Sequence, residues 1–196
     1  QARELAAQRG IENAEYREAS VYALPFADNS FDVVHAHQVL QHLADPVAAL
    51  LEMRRVAKPL ALVAARDSDY ATMVHDPHQP RLDRWLELYH QVARANGAEP
   101  DAGRRLLGWA RAAGFEDVTA SSSSWSYADE ASRAWWGELW AVRITEGAFA
   151  EQAIEAGLST APELAELAAA WRSWAREPNG FFAFLHGEVL ARAPLS

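Results

Sequence analysis

The feature that most constrains this sequence is a pair of short apolar runs set on either side of a clear helix signal. Phe31-Asp32-Val33-Val34-His35-Ala36-His37 and Leu60-Ala61-Leu62-Val63-Ala64-Ala65 are too short for core helices and mostly apolar or β-branched. Runs of this kind suit strands buried on both faces of a parallel sheet. Between them Asp45-Pro46 opens a helix, because Asp accepts from the free N–H groups of a first turn and proline lacks the donor that would be orphaned there. Val47, Leu50, Leu51 and Val56 supply the apolar stripe, and Lys58-Pro59 stops the helix.

Further along, the same reasoning predicts a helix over residues 1–9 ending at Gly10, a short strand from Glu15 to Ser20 and a turn-rich loop from Ala23 to Ser30. A helix over 81–96 closes on Asn96-Gly97, and another at about 101–112 ends at Gly114 and feeds a strand from Phe115 to Ser123. Residues 129–175 read as two or three helices broken near Gly157 to Pro162. Phe181 to Ala193 reads as a last, antiparallel strand. The pattern predicts one α/β domain, a three-layer αβα sandwich on a mostly parallel sheet with an antiparallel last strand and a helical insert at about 129–175.

Composition narrows the functional classes. Zero cysteines exclude disulfides and thiolate metal sites, and they fit a reducing, cytoplasmic setting. Eighteen Lys plus Arg against 27 Asp plus Glu give a net charge of −9 with no basic stretch, so nucleic acid is not the expected partner. No apolar run is long enough to span a bilayer, so no membrane partner is expected either. His35, His37 and His42 lack the carboxylate or cysteine that would complete a ligand set, and no metal is expected.

Three blocks carry a resemblance. Glu18 through Val34 includes Leu24-Pro25-Phe26-Ala27-Asp28-Asn29-Ser30-Phe31-Asp32-Val33-Val34; His37 through Pro59 includes Glu52-Met53-Arg54-Arg55-Val56-Ala57-Lys58-Pro59; and Leu107 through Val118 includes Ala113-Gly114-Phe115. In this order and spacing they resemble class I S-adenosylmethionine-dependent methyltransferases, most closely the group that includes ubiquinone and menaquinone biosynthesis enzymes. The resemblance implies a Rossmann-like fold, S-adenosylmethionine as methyl donor with S-adenosylhomocysteine as product, and a small-molecule methyl acceptor. By position it puts adenine on Ser20 and Val21 and the methionine end of the donor on His37, Gln38 and Val39.

Three departures stand beside it. Ser20 occupies a position where the family commonly has Asp, and a hydroxyl accepts with less charge assistance. No E/D-x-G-x-G-x-G loop occurs in the chain, so that loop and the strands around it would lie upstream of Gln1. Leu60-Ala61 follows Lys58-Pro59 where the family has glycines, which implies a variant turn.

The acceptor side is read from the residues. His42, in the loop after the first buried run, is a candidate general base, since a neutral imidazole titrates in the useful range; a helix-start histidine would look the same. Asp67, Asp69 and Tyr70 follow the Leu60–Ala65 strand at its carboxyl end, where ligands of open α/β sheets bind. Trp136, Trp140 and Arg143 share a helix face in the insert, as pocket lining, a core stripe or a homodimer contact. His75 lies in an Asp76-Pro77-His78 segment that reads as a surface loop or a lid. The expected activity is methyl transfer to a small organic acceptor. A non-catalytic methyltransferase-like binding protein is the principal rival, and a nucleotide-linked oxidoreductase would leave the Leu24–Val34 block unexplained.

Overall fold

In the computed structural model, which describes residues 2–195, four strands and seven α-helices form an αβα Rossmann-like arrangement. After α1 (Ala2–Gln8), the chain runs through β1 (Phe31–His37), α2 (Pro46–Val56), β2 (Ala57–Asp76), α3 (Pro80–Ala95), α4 (Leu106–Ala112) and β3 (Val118–Tyr127). Helices α5 (Glu130–Glu146), α6 (Ala148–Glu155) and α7 (Ala161–Ala175) then precede β4 (Phe181–Arg192). The sheet order is β1-β2-β4-β3. β1 and β2 are parallel, while β4 inserts between β2 and β3 antiparallel to both. Among the described residues β1, β2 and β3 therefore run the same way and only the last strand is reversed, as the sequence predicted; its place between β2 and β3 makes two of the three ladders antiparallel.

Strand alternation sorts the two helical layers. Val63, Ala65, Val189 and Ala191 face α2 and α4, which bury Leu50, Met53, Leu106 and Ala110 against them. The residues of opposite parity on β3 and β4, Tyr127, Phe182 and Phe184, face α3, α5, α6 and α7 and join a core rich in tryptophan. There Trp85 meets Trp140 and Trp171 edge-on at 4.5 and 4.8 Å. Nearer the start of the strands this second face, with Val33 and Leu190, stays exposed. Gly137 permits the close crossing of α5 on α7, since a Cβ there would lie 2.7 Å from the Ala175 Cβ.

Local signals act as expected at α2: Asp45 accepts the Ala48 N–H at 2.9 Å and Pro46 takes the first turn. Two irregularities in β2 matter more. Its pairing with β1 shifts between Phe31 and Val33, where Leu60 takes φ 63°, the left-handed region that suits the glycine which the family resemblance leads one to expect there. Its pairing with β4 breaks between Asp69 and Val74. The intervening segment is tied down by Tyr70 N–H to the Pro100 carbonyl, Ala71 N–H to Asp101 and Leu185 N–H to the Thr72 hydroxyl.

Two local expectations are corrected. Residues 15–20 form no strand beyond a single bridge between Ser20 and Ala23, because this stretch is exposed and has no neighbour to pair with among the described residues. His75 and Asp76 are neither loop nor lid: they complete β2, paired with Phe182 and Phe181.

Candidate active site

β1 ends in a turn built to present side chains beyond the sheet. Gln38 adopts φ 55° while its N–H still bonds the Arg66 carbonyl at 2.8 Å, so the chain leaves β1 sharply. The 3-10 turn Leu40–His42 that follows sits over the fully buried Asp67 of β2. Asp67 Oδ1 accepts the Gln41 N–H at 3.1 Å, and the N–H groups of Leu40 and Val39 also stabilise the carboxylate. Burial outweighs them and pushes the Asp67 carboxyl up to about 6. Its Oδ2 has no hydrogen-bond partner among the described residues.

Gln41 is buried too, and its amide links the turn to β2. Oε1 accepts the Ser68 N–H at 3.0 Å, which leaves Nε2 to donate to His42 Nε2, also at 3.0 Å. That bond assigns the proton of neutral His42 to Nδ1. Burial first, and then the Arg143 charge, hold the His42 imidazole below its ordinary range. Gln38 points its amide at His186 Nε2 (2.9 Å). His186 is wholly buried, and desolvation keeps it neutral by lowering its pKa to about 4.

The break in β2 turns Tyr70 toward the helices, as such irregularities re-aim side chains. Its ring lies 4.2 Å from Tyr89 of α3 and edge-on to Trp140 of α5 at 6.3 Å. With Gln38, Gln41, His42, Arg143, Gly147, Ala148 and Phe149, these residues line a cavity of about 370 Å³ just beyond the carboxyl end of β1 and beside the break in β2. Ligands of open α/β sheets bind at this end. Burial raises both tyrosine pKa values, so neither phenol serves as a base at neutral pH.

Of the sequence candidates, Gln38, His42, Tyr70, Trp140 and Arg143 meet in this cavity. Trp136 does not: it stacks on Tyr127 at 4.3 Å within the core. Asp67 lies beneath the turn rather than on the cavity wall, and Asp69 is engaged by Arg104 at 2.6 Å. His37 faces the other way, accepting from Arg66 at 3.1 Å, and Val39 packs into the core under α2. Gln41, Tyr89, Gly147 and Ala148 were not singled out as site residues. Tyr89 stood in a helical apolar stripe, where a wall residue and a core residue look alike.

The Leu24–Asp28 loop is held by α2. Leu24 N–H donates to Glu52 at 2.7 Å, and Arg55 binds the Leu24 and Phe26 carbonyls and the Asp28 carboxylate. These bonds tie the Leu24-Pro25-Phe26 motif to the Glu52–Arg55 segment of α2. The preceding turn reaches α2 through Tyr22, whose hydroxyl accepts the Asp45 N–H at 3.3 Å. Ser20 Oγ accepts the Tyr22 N–H at 3.2 Å, leaving its second lone pair for another donor.

Residues 1–65 match the family profile "Methyltransferase domain". An uncharacterised methyltransferase of Schizosaccharomyces pombe is 35% identical over 182 residues, covering 92% of this chain and 64% of that protein. A demethylmenaquinone methyltransferase of Roseiflexus is 36% identical over 114 residues, 49% of this chain and 45% of that one. The YcgJ protein of Bacillus subtilis has a similar fold, with a TM-score of 0.57 at 15% identity over 98% of this chain and 76% of that one. The chain thus spans less than two thirds of the length of these two curated relatives. It belongs to the S-adenosylmethionine-dependent methyltransferase family.

Proposed function

We propose that the chain transfers a methyl group from S-adenosylmethionine to a small organic acceptor held in the cavity beside Tyr70 and Trp140. One observation carries this reading: Gln38, to which the family resemblance assigns the donor's methionine end, forms with Gln41 and His42 of the next turn a wall of an aromatic cavity just beyond the carboxyl end of β1. Of the three residues assigned to the donor's methionine end, Gln38 is the one that fits it there, since His37 turns away and Val39 packs into the core. Gln38, turned out of β1 by its left-handed backbone, opens onto the cavity. The family cofactor supplies the electrophilic methyl group when bound.

The chain's own contribution is alignment and exclusion of water. Tyr70, Tyr89, Trp140 and Phe149 provide flat apolar walls that orient an acceptor and keep solvent from it. His42, neutral at physiological pH, is the group we assign to take a proton from the acceptor. Its Nε2 is bonded to Gln41 in this structure, so proton uptake requires that bond to open.

Among the described residues no helix is long and apolar enough to cross a membrane. We assign the protein to the cytoplasm on its lack of cysteine. Calorimetric titration of the full chain with S-adenosylmethionine and S-adenosylhomocysteine, followed by mass spectrometry of acceptor mixtures, tests the reading. Donor binding and a one-methyl mass gain on an acceptor support it. A chain that binds neither donor nor product sinks it and favours a non-catalytic binding protein.

A further inference from the structure

The cavity is chemically one-sided. Ten residues line it, and none is an Asp or Glu. Arg143, in the last turn of α5, places its guanidinium 5.3 Å from the Trp140 ring centroid. No hydrogen bond or ion pair to Arg143 is found among the described residues, although the protein is acidic overall and pairs Arg84, Arg104 and Arg172 with carboxylates. Its field enters the cavity, where it adds to the burial that holds the His42 pKa down and partly opposes the burial that raises that of Tyr89.

Further donors lie at or behind the walls. Trp140 is 2% exposed, and its indole N–H has no partner among the described residues. His42, accepting from Gln41 through Nε2, has its Nδ1–H left to give. The joint Gly147–Phe149 opens α6 without a side-chain cap, so its first N–H groups add positive potential at the same wall. The remaining lining is flat: Tyr70, Tyr89, Trp140 and Phe149, with the Tyr89 and Phe149 rings nearly parallel at 6.3 Å.

We propose that this cavity selects a planar, unsaturated organic anion, its body between the aromatic walls and its carboxylate or comparable oxyanion on Arg143. The inference rests on the reading of this cavity as the acceptor site, but it concerns binding and is tested without methyl transfer. A guanidinium already stacked on an aromatic ring loses little freedom when it binds an oxyanion, and its planar N–H fork matches a carboxylate.

The test is quenching of intrinsic tryptophan fluorescence, checked by saturation-transfer NMR. The full chain is titrated with 4-hydroxybenzoate, its methyl ester, 4-hydroxybenzylamine and 4-hydroxycyclohexanecarboxylate, in the absence of S-adenosylmethionine. The benzoate should bind at least tenfold more tightly than the ester, and the amine and the saturated acid more weakly than the benzoate. Arg143→Gln should remove the acid-over-ester preference and Arg143→Lys should keep part of it; Arg143 itself is an exposed residue, and circular dichroism checks that both variants fold. Equal binding of acid and ester, an unchanged preference in Arg143→Gln, or no binding by any probe overturns the inference. Selective anion binding by a chain that never transfers a methyl group would leave it standing while the methyltransferase reading falls.

Discussion

Replacing Asp67 with Asn isolates the electrostatic cost of holding the 38–42 turn. The carboxyl is wholly buried, one oxygen lacks a partner, and burial raises its pKa from 3.8 to about 6. An acid whose pKa is raised on folding binds its proton more tightly in the folded state. Stability is therefore unaffected by this group below pH 3.8 and falls as pH rises through the window up to about 6. A shift from 3.8 to about 6 corresponds to a penalty on the order of 3 kcal/mol once both states are ionised. Asn keeps the oxygen that accepts the Gln41 N–H and cannot ionise, at a fixed cost of about 1–3 kcal/mol for burying an amide N–H beside no acceptor. The fixed cost cancels between pH values. Urea unfolding followed by tryptophan fluorescence at pH 4.2 and 7.5, either side of the sequence pI near 5.2, should show the variant gaining on wild type by about 2 kcal/mol at the higher pH. A pH-independent difference, or a variant that falls further behind at pH 7.5, would refute the argument. The N–H groups of Val39, Leu40 and Gln41 would then outweigh burial.

Other substitutions probe the same account. Leu60→Gly relieves a left-handed conformation at a half-exposed position and should stabilise by up to about 1 kcal/mol, a rise in melting temperature of about 2–4 °C by calorimetry. Gly137→Ala, despite the better helix propensity of alanine, forces a methyl to within 2.9 Å of the Trp171 carbonyl and 2.7 Å of Ala175; it should cost about 1–3 kcal/mol in chemical denaturation. His42→Ala should lower kcat about 100-fold or more while leaving S-adenosylhomocysteine affinity unchanged. Because burial and Arg143 depress the His42 pKa, the acid limb of wild-type kcat should fall below the ordinary histidine value of 6.5 and vanish in the variant.

The parts of the fold legible in the sequence were those fixed by local chemistry. Asp45-Pro46 starts α2, the apolar 31–37 run becomes β1, and the helical block breaks within the Gly157 to Pro162 stretch, whereas the further break at Gly147 was not singled out. The position of β4 between β2 and β3 depends on long-range pairing, which no local pattern encodes. The break in β2 after Asp69 is likewise invisible locally, since Pro100, Asp101 and the β4 backbone hold it from a distance. At the site, helical spacing put Trp140 and Arg143 together correctly, but Trp136 shares their face and still turns into the core. Periodicity identifies a buried face, and only the packing of α3 and α6 decides which part of it borders a cavity.

The central claim is that the donor's methionine end binds against the turn after β1. Hydrogen–deuterium exchange of the full chain with and without S-adenosylhomocysteine tests it most directly, because the amides of Gln38, Gln41 and His42 each make a defined hydrogen bond in this structure. The account predicts slowed exchange in residues 37–43 on adding the compound. Unchanged exchange in that segment, with protection appearing elsewhere or nowhere, would contradict it.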